Sequence, residues 1–208
     1  MQRQKVNSKC VILLCTRNGE RFLQKQIESI RNQTFKNWTL IVSDDGSKDN
    51  TLSIIKNFKR SLGKKRVILF SGPQKGYANN FLSACQKSIK LGDYFAFCDQ
   101  DDVWEPDKLD RAIKTLREFS SEKPALYSTA TNLVDENGKF LGVSKIPYRR
   151  LSFNNALVEN VAGGNTMVFN LALAKEFCQL NERVNLISHD WTLYQITTAL
   201  DGIFIYDK

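Results

Sequence analysis

The chain of 208 residues predicts an α/β fold in which helices flank a mainly parallel central sheet. Three observations support this. Short apolar runs such as Cys10–Cys15 and Tyr94–Cys98 alternate with segments whose apolar residues recur every three or four positions. The runs are apolar throughout, as strands buried on both faces must be. The second and fourth runs break into acidic loops, at the strand end where open α/β sheets place their ligands.

Taken in order, Cys10–Cys15 is the first strand, ended by Thr16-Arg17-Asn18-Gly19. From Glu20 to about Gln33, residues Leu23, Ile27 and Ile30 fall on one helical face. Trp38–Ser43 is the second strand and ends in Asp44-Asp45-Gly46-Ser47. Asp49-Asn50 opens a helix whose apolar side is Leu52, Ile55, Phe58 and Leu62. Arg66–Phe70 is a third strand, and a helix from Tyr77 carries Phe81, Ala84, Cys85 and Ile89. Tyr94 begins a fourth strand, which runs into Asp99-Gln100-Asp101-Asp102. Pro106 suits the first turn of the next helix, with Glu105 and Asp107 complementing its dipole. Leu109, Ala112, Ile113 and Leu116 form the buried stripe. Strand and helix alternating this regularly require βαβ crossovers.

Beyond Pro124 the pattern loosens. Ala125–Ala130 is a strand, and Asp135-Glu136-Asn137-Gly138 is a hairpin turn. Lys145–Arg150 is a basic connection, Asn154–Asn160 a short helix, and Thr166–Phe169 a strand after Gly163-Gly164. Leu171–Leu180 and His189–Leu200 are helical, with Gly202–Tyr206 as the last strand. With no internal repeat, low-complexity run or linker, residues 1–208 read as one domain in two halves, 1–104 and 105–208.

Hydrophobic content of 42% and charged content of 25% are those of a globular protein with a sizeable core. A formal charge of +8 favours anionic company, whether phosphorylated substrates, an anionic membrane surface or nucleic acid. The cysteines number five, and no Cys-x-x-Cys occurs, so they read as reduced core residues and not as a disulfide frame or zinc site. Met1–Lys9 is polar and basic, without a leader's apolar core. No segment reaches the ~20 apolar residues of a membrane span. These features predict a cytoplasmic protein whose membrane contact, at the inner face of the cell membrane, is peripheral.

The acidic loops Asp44-Asp45-Gly46-Ser47 and Asp99-Gln100-Asp101-Asp102 end the second and fourth strands, so a parallel sheet brings both to one edge. Gathered carboxylates repel one another unless a cation neutralises them. Turn formation and helix capping would use the same residue types. No Gly-x-Gly-x-x-Gly follows the first strand, and no P-loop is present. A calcium loop starting at Asp99 would need an oxygen ligand and then a glycine where Val103 and Trp104 stand. Asp99-Gln100-Asp101-Asp102-Val103 also resembles the first motif of haloacid-dehalogenase-type phosphatases, with Asp99 as nucleophile and Ser128 or Thr129 as a second motif. That motif normally opens its fold, however, and the later Gly-Asp-x-x-x-Asp is missing.

Taken together, the pattern resembles the family 2 glycosyltransferases, the inverting GT-A type with a Rossmann-like sheet. Thr16-Arg17-Asn18-Gly19, Gln33–Trp38, Val42–Asp49, the Gly76–Asn80 segment, Cys98–Trp104 and His189-Asp190-Trp191 stand in the family's order. The Cys-Asp-Gln-Asp-Asp-x-Trp and His-Asp-Trp forms are most similar to the rhamnosyltransferase-like branch of surface polysaccharide synthesis. The resemblance implies a dTDP- or UDP-sugar donor, a saccharide or lipid-linked acceptor, and no nucleic acid. It implies Mg²⁺ or Mn²⁺ on Asp101, with Asp99 at the ribose or in the metal shell, and Asp190 as general base. Asp45 or Asp44 would bond the pyrimidine, Thr16 and Arg17 would line the nucleotide pocket, and Lys75 and Asn80 would add to it. His189 is expected to be structural or a supporting donor, and Trp191 to wall the acceptor or to pack. Residues 1–104 would be the nucleotide-binding half and 105–208 the acceptor-side half. Family members usually continue past the last strand, so a C-terminally truncated chain is expected, with the alternative of a non-catalytic sugar-nucleotide-binding module. One geometric expectation follows from alternation along an extended chain: Asp99 and Asp101 share a side, and Asp102 turns away to a structural partner.

Overall fold

The computed structural model describes residues 7–147, 151–181 and 186–207. Four strands, β1 (Cys10–Thr16), β2 (Trp38–Asp44), β3 (Val67–Ser71) and β4 (Tyr94–Cys98), alternate with helices α1 (Leu23–Arg31), α2 (Thr51–Leu62) and α3 (Tyr77–Ser88). Helix α4 (Lys108–Leu116) and strand β5 (Ala125–Thr129) follow, then a separate hairpin of β6 (Asn132–Val134) and β7 (Phe140–Val143). A single turn α5 (Phe153–Ala156), β8 (Val168–Asn170), α6 (Leu171–Cys178), α7 (His189–Ala199) and β9 (Ile203–Asp207) complete the chain.

The main sheet has 7 strands in the order β3-β2-β1-β4-β8-β5-β9. All its pairs are parallel except those of β8, which runs antiparallel to both β4 and β5. Every residue of β1, β2 and β4 is buried, because helices cover both faces. Side chains alternate between the faces. Ile12, Leu14, Leu40, Ala96 and Cys98 pack toward α1, α2 and α4, while Val11, Leu13, Ile41, Phe95 and Phe97 pack toward α3, α6 and α7. On the second face Phe97 meets Phe81 edge-on with ring centres 5.1 Å apart, and lies 4.8 Å from Phe169. Such aromatic pairs add about 0.5–1.5 kcal/mol each beyond the area they bury.

The parallel register aligns the strand ends that matter. Thr16 pairs with Asp44, Asp44 with Ser71, and Leu14 with Cys98. The residues that follow β1, β2 and β4 therefore leave the sheet at one level. Helix α4 takes its first-turn cap from another element. Asp107 makes no side-chain cap, whereas buried Gln33 accepts from the Leu109 N–H (3.1 Å) and donates to the Glu105 carbonyl (2.7 Å).

The second half departs from expectation in detail. Thr166 does not begin a strand: residues Gly164–Thr166 form a 3₁₀ turn in which the Thr166 N–H and hydroxyl both donate to the Gly163 carbonyl. Strand β8 is shorter as a result, beginning two residues later and ending one later at Asn170, whose side chain accepts from the Leu173 N–H and caps α6. The expected helix Asn154–Asn160 is one turn, Phe153–Ala156, capped by Ser152. The hairpin turns at Asp135–Gly138 as expected. Asp135 Oδ1 accepts from the N–H groups of Asn137 and Lys139, and Gly138 adopts the positive φ of 84° that favours glycine. Residues 148–150 of the basic connection lie outside the described residues.

Candidate active site

A cleft opens at the carboxyl ends of β1, β2 and β4 and is closed on one side by the start of α3. Thr16, Arg17, Asp45, Asn80, Asp99 and Asp101 line it together with Cys15, Gly76, Tyr77, Phe81 and Gln100. Its cavity of ≈ 260 Å³ falls below the usual range for small-molecule sites, so a nucleotide-sized ligand would extend beyond it.

The loops that build the cleft are tied to one another. Gln100 clamps Arg17 by its backbone, accepting from the Arg17 N–H (3.0 Å) and donating to the Arg17 carbonyl (3.2 Å). Gly19 permits this approach, since a Cβ there would stand 2.3 Å from Gln100 Oε1. Asn18, at φ 50°, donates its N–H to the Ser47 hydroxyl and accepts from the Lys48 N–H, which locks the β1 and β2 loops together.

The two acids after β2 have different fates. Asp44 is buried and accepts from the Thr16 hydroxyl (2.9 Å), the Ser47 hydroxyl, and the N–H groups of Gly46 and Ser47. Its carboxylate organises the loop and does not line the cleft. Asp45 does line it, and accepts from the Gln74 N–H at 2.6 Å. Gly72 makes room for it: a Cβ at that position would lie 2.5 Å from Asp45 Oδ1 and 2.7 Å from Asn80 Oδ1. Asn80 borders the cleft, but its amide is engaged at both ends by Ser43, accepting from the hydroxyl (2.6 Å) and donating to the carbonyl (3.0 Å). Lys75 stands outside the cleft, on the exposed turn ahead of α3, where Gly76 and Tyr77 take the lining position.

The loop after β4 turns at Gln100 and Asp101, so its division is set by the turn and not by alternation along an extended chain. Asp99 and Asp101 line the cleft, whereas Asp102 is half-buried elsewhere and takes a hydrogen bond from the Asn165 side chain. Burial pushes the Asp99 carboxyl up to about 7, aided by Asp102, Asp101 and Asp190. Behind the loop, the Lys108 ammonium lies 4.9 Å over the Trp104 ring. Burial pushes it down to about 8, while Cys98 and Asp102 oppose that fall. The cleft lining thus gathers Asp45, Asp99 and Asp101 against the single cationic side chain of Arg17. Among the described residues no cluster of three or more His, Cys, Asp or Glu could hold a metal by itself. Paired carboxylates facing an open cleft suit Mg²⁺ or Mn²⁺, which take few protein ligands and complete their shell with phosphate oxygens and water.

Asp190 opens α7 and lies within electrostatic reach of Asp99. Its carboxylate is fixed by donors from several segments: Asn160 Nδ2 (3.0 Å), the Gly164 N–H (3.0 Å), the Trp191 N–H (2.7 Å) and the Ser188 hydroxyl. His189 beside it is 4% exposed and stacks on Phe81 at 3.8 Å, with Phe97 edge-on at 4.6 Å. Neither ring nitrogen has a hydrogen-bond partner, so His189 packs and does not donate. Trp191 donates from Nε1 to the Ala156 carbonyl (2.7 Å), tying α7 to α5. Trp104 is buried under the β4 loop, with its backbone N–H donating to the Ser29 hydroxyl. Sequence reasoning missed Gln100, Tyr77 and Phe81 as cleft residues. Tyr77 closes the rim by donating its hydroxyl to the Ile187 carbonyl (2.9 Å). The only sequence cue to these residues was their position inside or beside motifs chosen for other members.

A sheet of this order with an acidic cleft at its carboxyl edge is the architecture of GT-A nucleotide-sugar enzymes. S. aureus TarS 1–349 in complex with UDP superposes with a TM-score of 0.72 at 17% identity, covering 96% of this chain and 58% of that one. The mannosyltransferase PcManGT from Pyrobaculum calidifontis, in complex with GDP-Man and Mn²⁺, gives 0.70 at 14% identity over 98% of this chain and 55% of that one. The chain belongs to glycosyl transferase family 2, whose family model matches residues 11–153. It is 32% identical over 208 residues to the dTDP-rhamnosyl transferase RfbG of Shigella flexneri, across 94% of this chain and 68% of that protein. It is also 30% identical over 148 residues to the UDP-Glc:α-D-GlcNAc-diphosphoundecaprenol β-1,3-glucosyltransferase WfgD of Escherichia coli, across 69% of this chain and 54% of that protein. The chain thus spans between about half and two thirds of these proteins. Family membership displaces the phosphatase alternative. Of the two residues it could have used, Ser128 and Thr129, the first is fully buried and hydrogen-bonded to Thr166. No described helix is long and apolar enough to cross a membrane.

Proposed function

We propose that the chain transfers a sugar, with inversion, from a dTDP- or UDP-linked donor to a saccharide or lipid-linked acceptor in surface polysaccharide synthesis. The observation that carries this is the meeting of Thr16, Arg17, Asp45, Asp99 and Asp101 in one cleft, with Asp190 fixed close to Asp99. Residues 1–104 bind the nucleotide and residues 105–208 face the acceptor. Asp45 accepts from the pyrimidine imide N–H, an edge that uracil and thymine share. Thr16 and Arg17 line the nucleoside, and Asn80 holds the Asp45 wall in place through Ser43.

Asp190 accepts the proton of the acceptor hydroxyl as its oxygen attacks the anomeric carbon opposite the departing diphosphate. The donors that fix its carboxylate keep it in orientation, so little reorganisation accompanies the transfer. Asp101 and Asp99 would hold Mg²⁺ or Mn²⁺, which supplies Lewis-acid stabilisation of the diphosphate. Rhamnose is the sugar favoured by the likeness to RfbG, and a diphospho-lipid acceptor by the likeness to WfgD.

Asp190→Asn tests the base. The variant should bind UDP or dTDP as the parent does, and its single-turnover transfer should fall at least about 100-fold, the contribution of a positioned general base. Transfer at the parent rate would remove Asp190 from the role. Binding without transfer in the parent chain itself would favour the non-catalytic module.

A further inference from the structure

Outside the cleft, one pair of side chains has a chemistry that glycosyl transfer does not use. All five cysteines are free, and Cys10, Cys15 and Cys98 lie buried within strands. Cys85 and Cys178 differ, because their sulfurs stand 3.4 Å apart across the contact between α3 and α6. Cys85 is fully buried on α3, while Cys178 ends α6 and reaches the surface. The approach is pinned by a neighbour: Gln86 Nε2 donates to the carbonyls of Cys178 and Leu180, each at 3.1 Å. A disulfide needs sulfurs ~2.05 Å apart, so closure calls for a movement of little more than ~1 Å.

We propose that Cys85 and Cys178 are a redox pair, which a low-molecular-weight peroxide or disulfide oxidises to an intramolecular disulfide that staples α3 to α6. Cys178 is the attacking thiol, since it alone of the two meets solvent. The hydrogen bond between the pair lowers the Cys178 thiol and raises that of Cys85, which burial raises further. With hydrogen peroxide, the Cys178 thiolate takes one oxygen to become a sulfenic acid, and the other oxygen leaves as water. The Cys85 sulfur then displaces that hydroxyl as a second water and gives up its proton, forming the sulfur–sulfur bond. Two thiols thus lose two electrons and two protons, and one peroxide becomes two waters. With a small disulfide as oxidant, a mixed disulfide at Cys178 forms first, and two small thiols leave in turn. The staple falls on the helix whose first turns carry Tyr77, Asn80 and Phe81 into the cleft wall. It uses no atom of the cleft, so it stands independently of the transfer chemistry.

The test uses the full chain. It is treated with hydrogen peroxide or glutathione disulfide, its remaining thiols are alkylated, and its peptides are mapped by mass spectrometry. The expected result is one Cys85–Cys178 linked peptide, three alkylated cysteines, and reversal by dithiothreitol. Cys178→Ser should leave Cys85 reduced under the same treatment. Oxidation halting at Cys178 as a sulfinic acid or a persistent glutathione adduct, with Cys85 still free, would overturn the proposal. Links scattered among the other cysteines would overturn it equally. Repeating the mapping in urea should abolish the Cys85–Cys178 preference; its survival there would show that the fold does not set the pairing.

Discussion

Replacing His189 with Phe isolates one contribution to the pH dependence of stability. The ring is 4% exposed, sandwiched between Phe81 and Phe97, and without a hydrogen-bond partner on either nitrogen. Burial pushes it from the ordinary 6.5 down to about 4, against the pull of Asp190. Because the folded value is depressed, the unfolded chain binds a proton between those limits that the folded chain refuses. The associated stability is fully present above pH 6.5 and is lost as the pH falls toward about 4. At about 1.36 kcal/mol per pH unit the loss is of order 3 kcal/mol, a large share of the ~5–15 kcal/mol that holds an ordinary domain together. Carboxylates add their own pH dependence, but the variant keeps all of them. Urea unfolding of both chains from about pH 7 to about pH 4.5 gives the difference directly. Below about pH 6 that difference should move toward the variant by roughly 1 kcal/mol for each unit of acidification. The baseline offset, set by how Phe fits against Gly164, does not enter. A difference that stays flat with pH would refute the buried, unpartnered state of His189.

Other consequences are open to direct measurement. Gly72→Ala drives a Cβ to within 2.5 Å of Asp45 Oδ1 and 2.7 Å of Asn80 Oδ1. It should weaken UDP binding at least about tenfold by calorimetry while costing about 1–3 kcal/mol of stability; unchanged affinity would show that Asp45 is not a binding wall. Phe97→Ala removes the ring shared by Phe81, Phe169, Phe177 and His189. It should lower unfolding free energy by about 3–5 kcal/mol, and a loss under about 1 kcal/mol would mean that this side of the sheet is loosely packed.

Strands β1, β2 and β4 are legible because helices on both sides leave uninterrupted apolar runs, and each following helix shows its stripe. Strand β8 and turn α5 are too short to display a period. Their limits depend on side-chain bonds from Thr166, Asn170 and Ser152 that periodicity does not register. The acids after β2 and β4 announce an edge site through composition alone. Which acid faces the cleft is another matter. The turn at Gln100 and Asp101 separates Asp101 from Asp102, whereas Asp44 is drawn inward by local turn bonds from Gly46 and Ser47 and, from the end of β1, by Thr16. Gln100 reads as a spacer between two acids, yet it clamps Arg17 from 83 positions away. Lys75 reads as a nucleotide-pocket residue only by its neighbourhood, and the turn at Gly76 carries it out of the cleft.

In the proposed function Asp99 and Asp101 would join a divalent cation to a nucleoside diphosphate at the carboxyl edge of the sheet. Calorimetric titration of UDP and dTDP into the chain, with Mn²⁺ and with a chelator, tests it most directly, using Asp101→Asn as the paired variant. At least one of the two should bind, tighten at least about tenfold with Mn²⁺, worth roughly 1.4 kcal/mol, and lose that gain in the variant. No binding of either nucleotide in either condition, or an undiminished Mn²⁺ gain in Asp101→Asn, would contradict it.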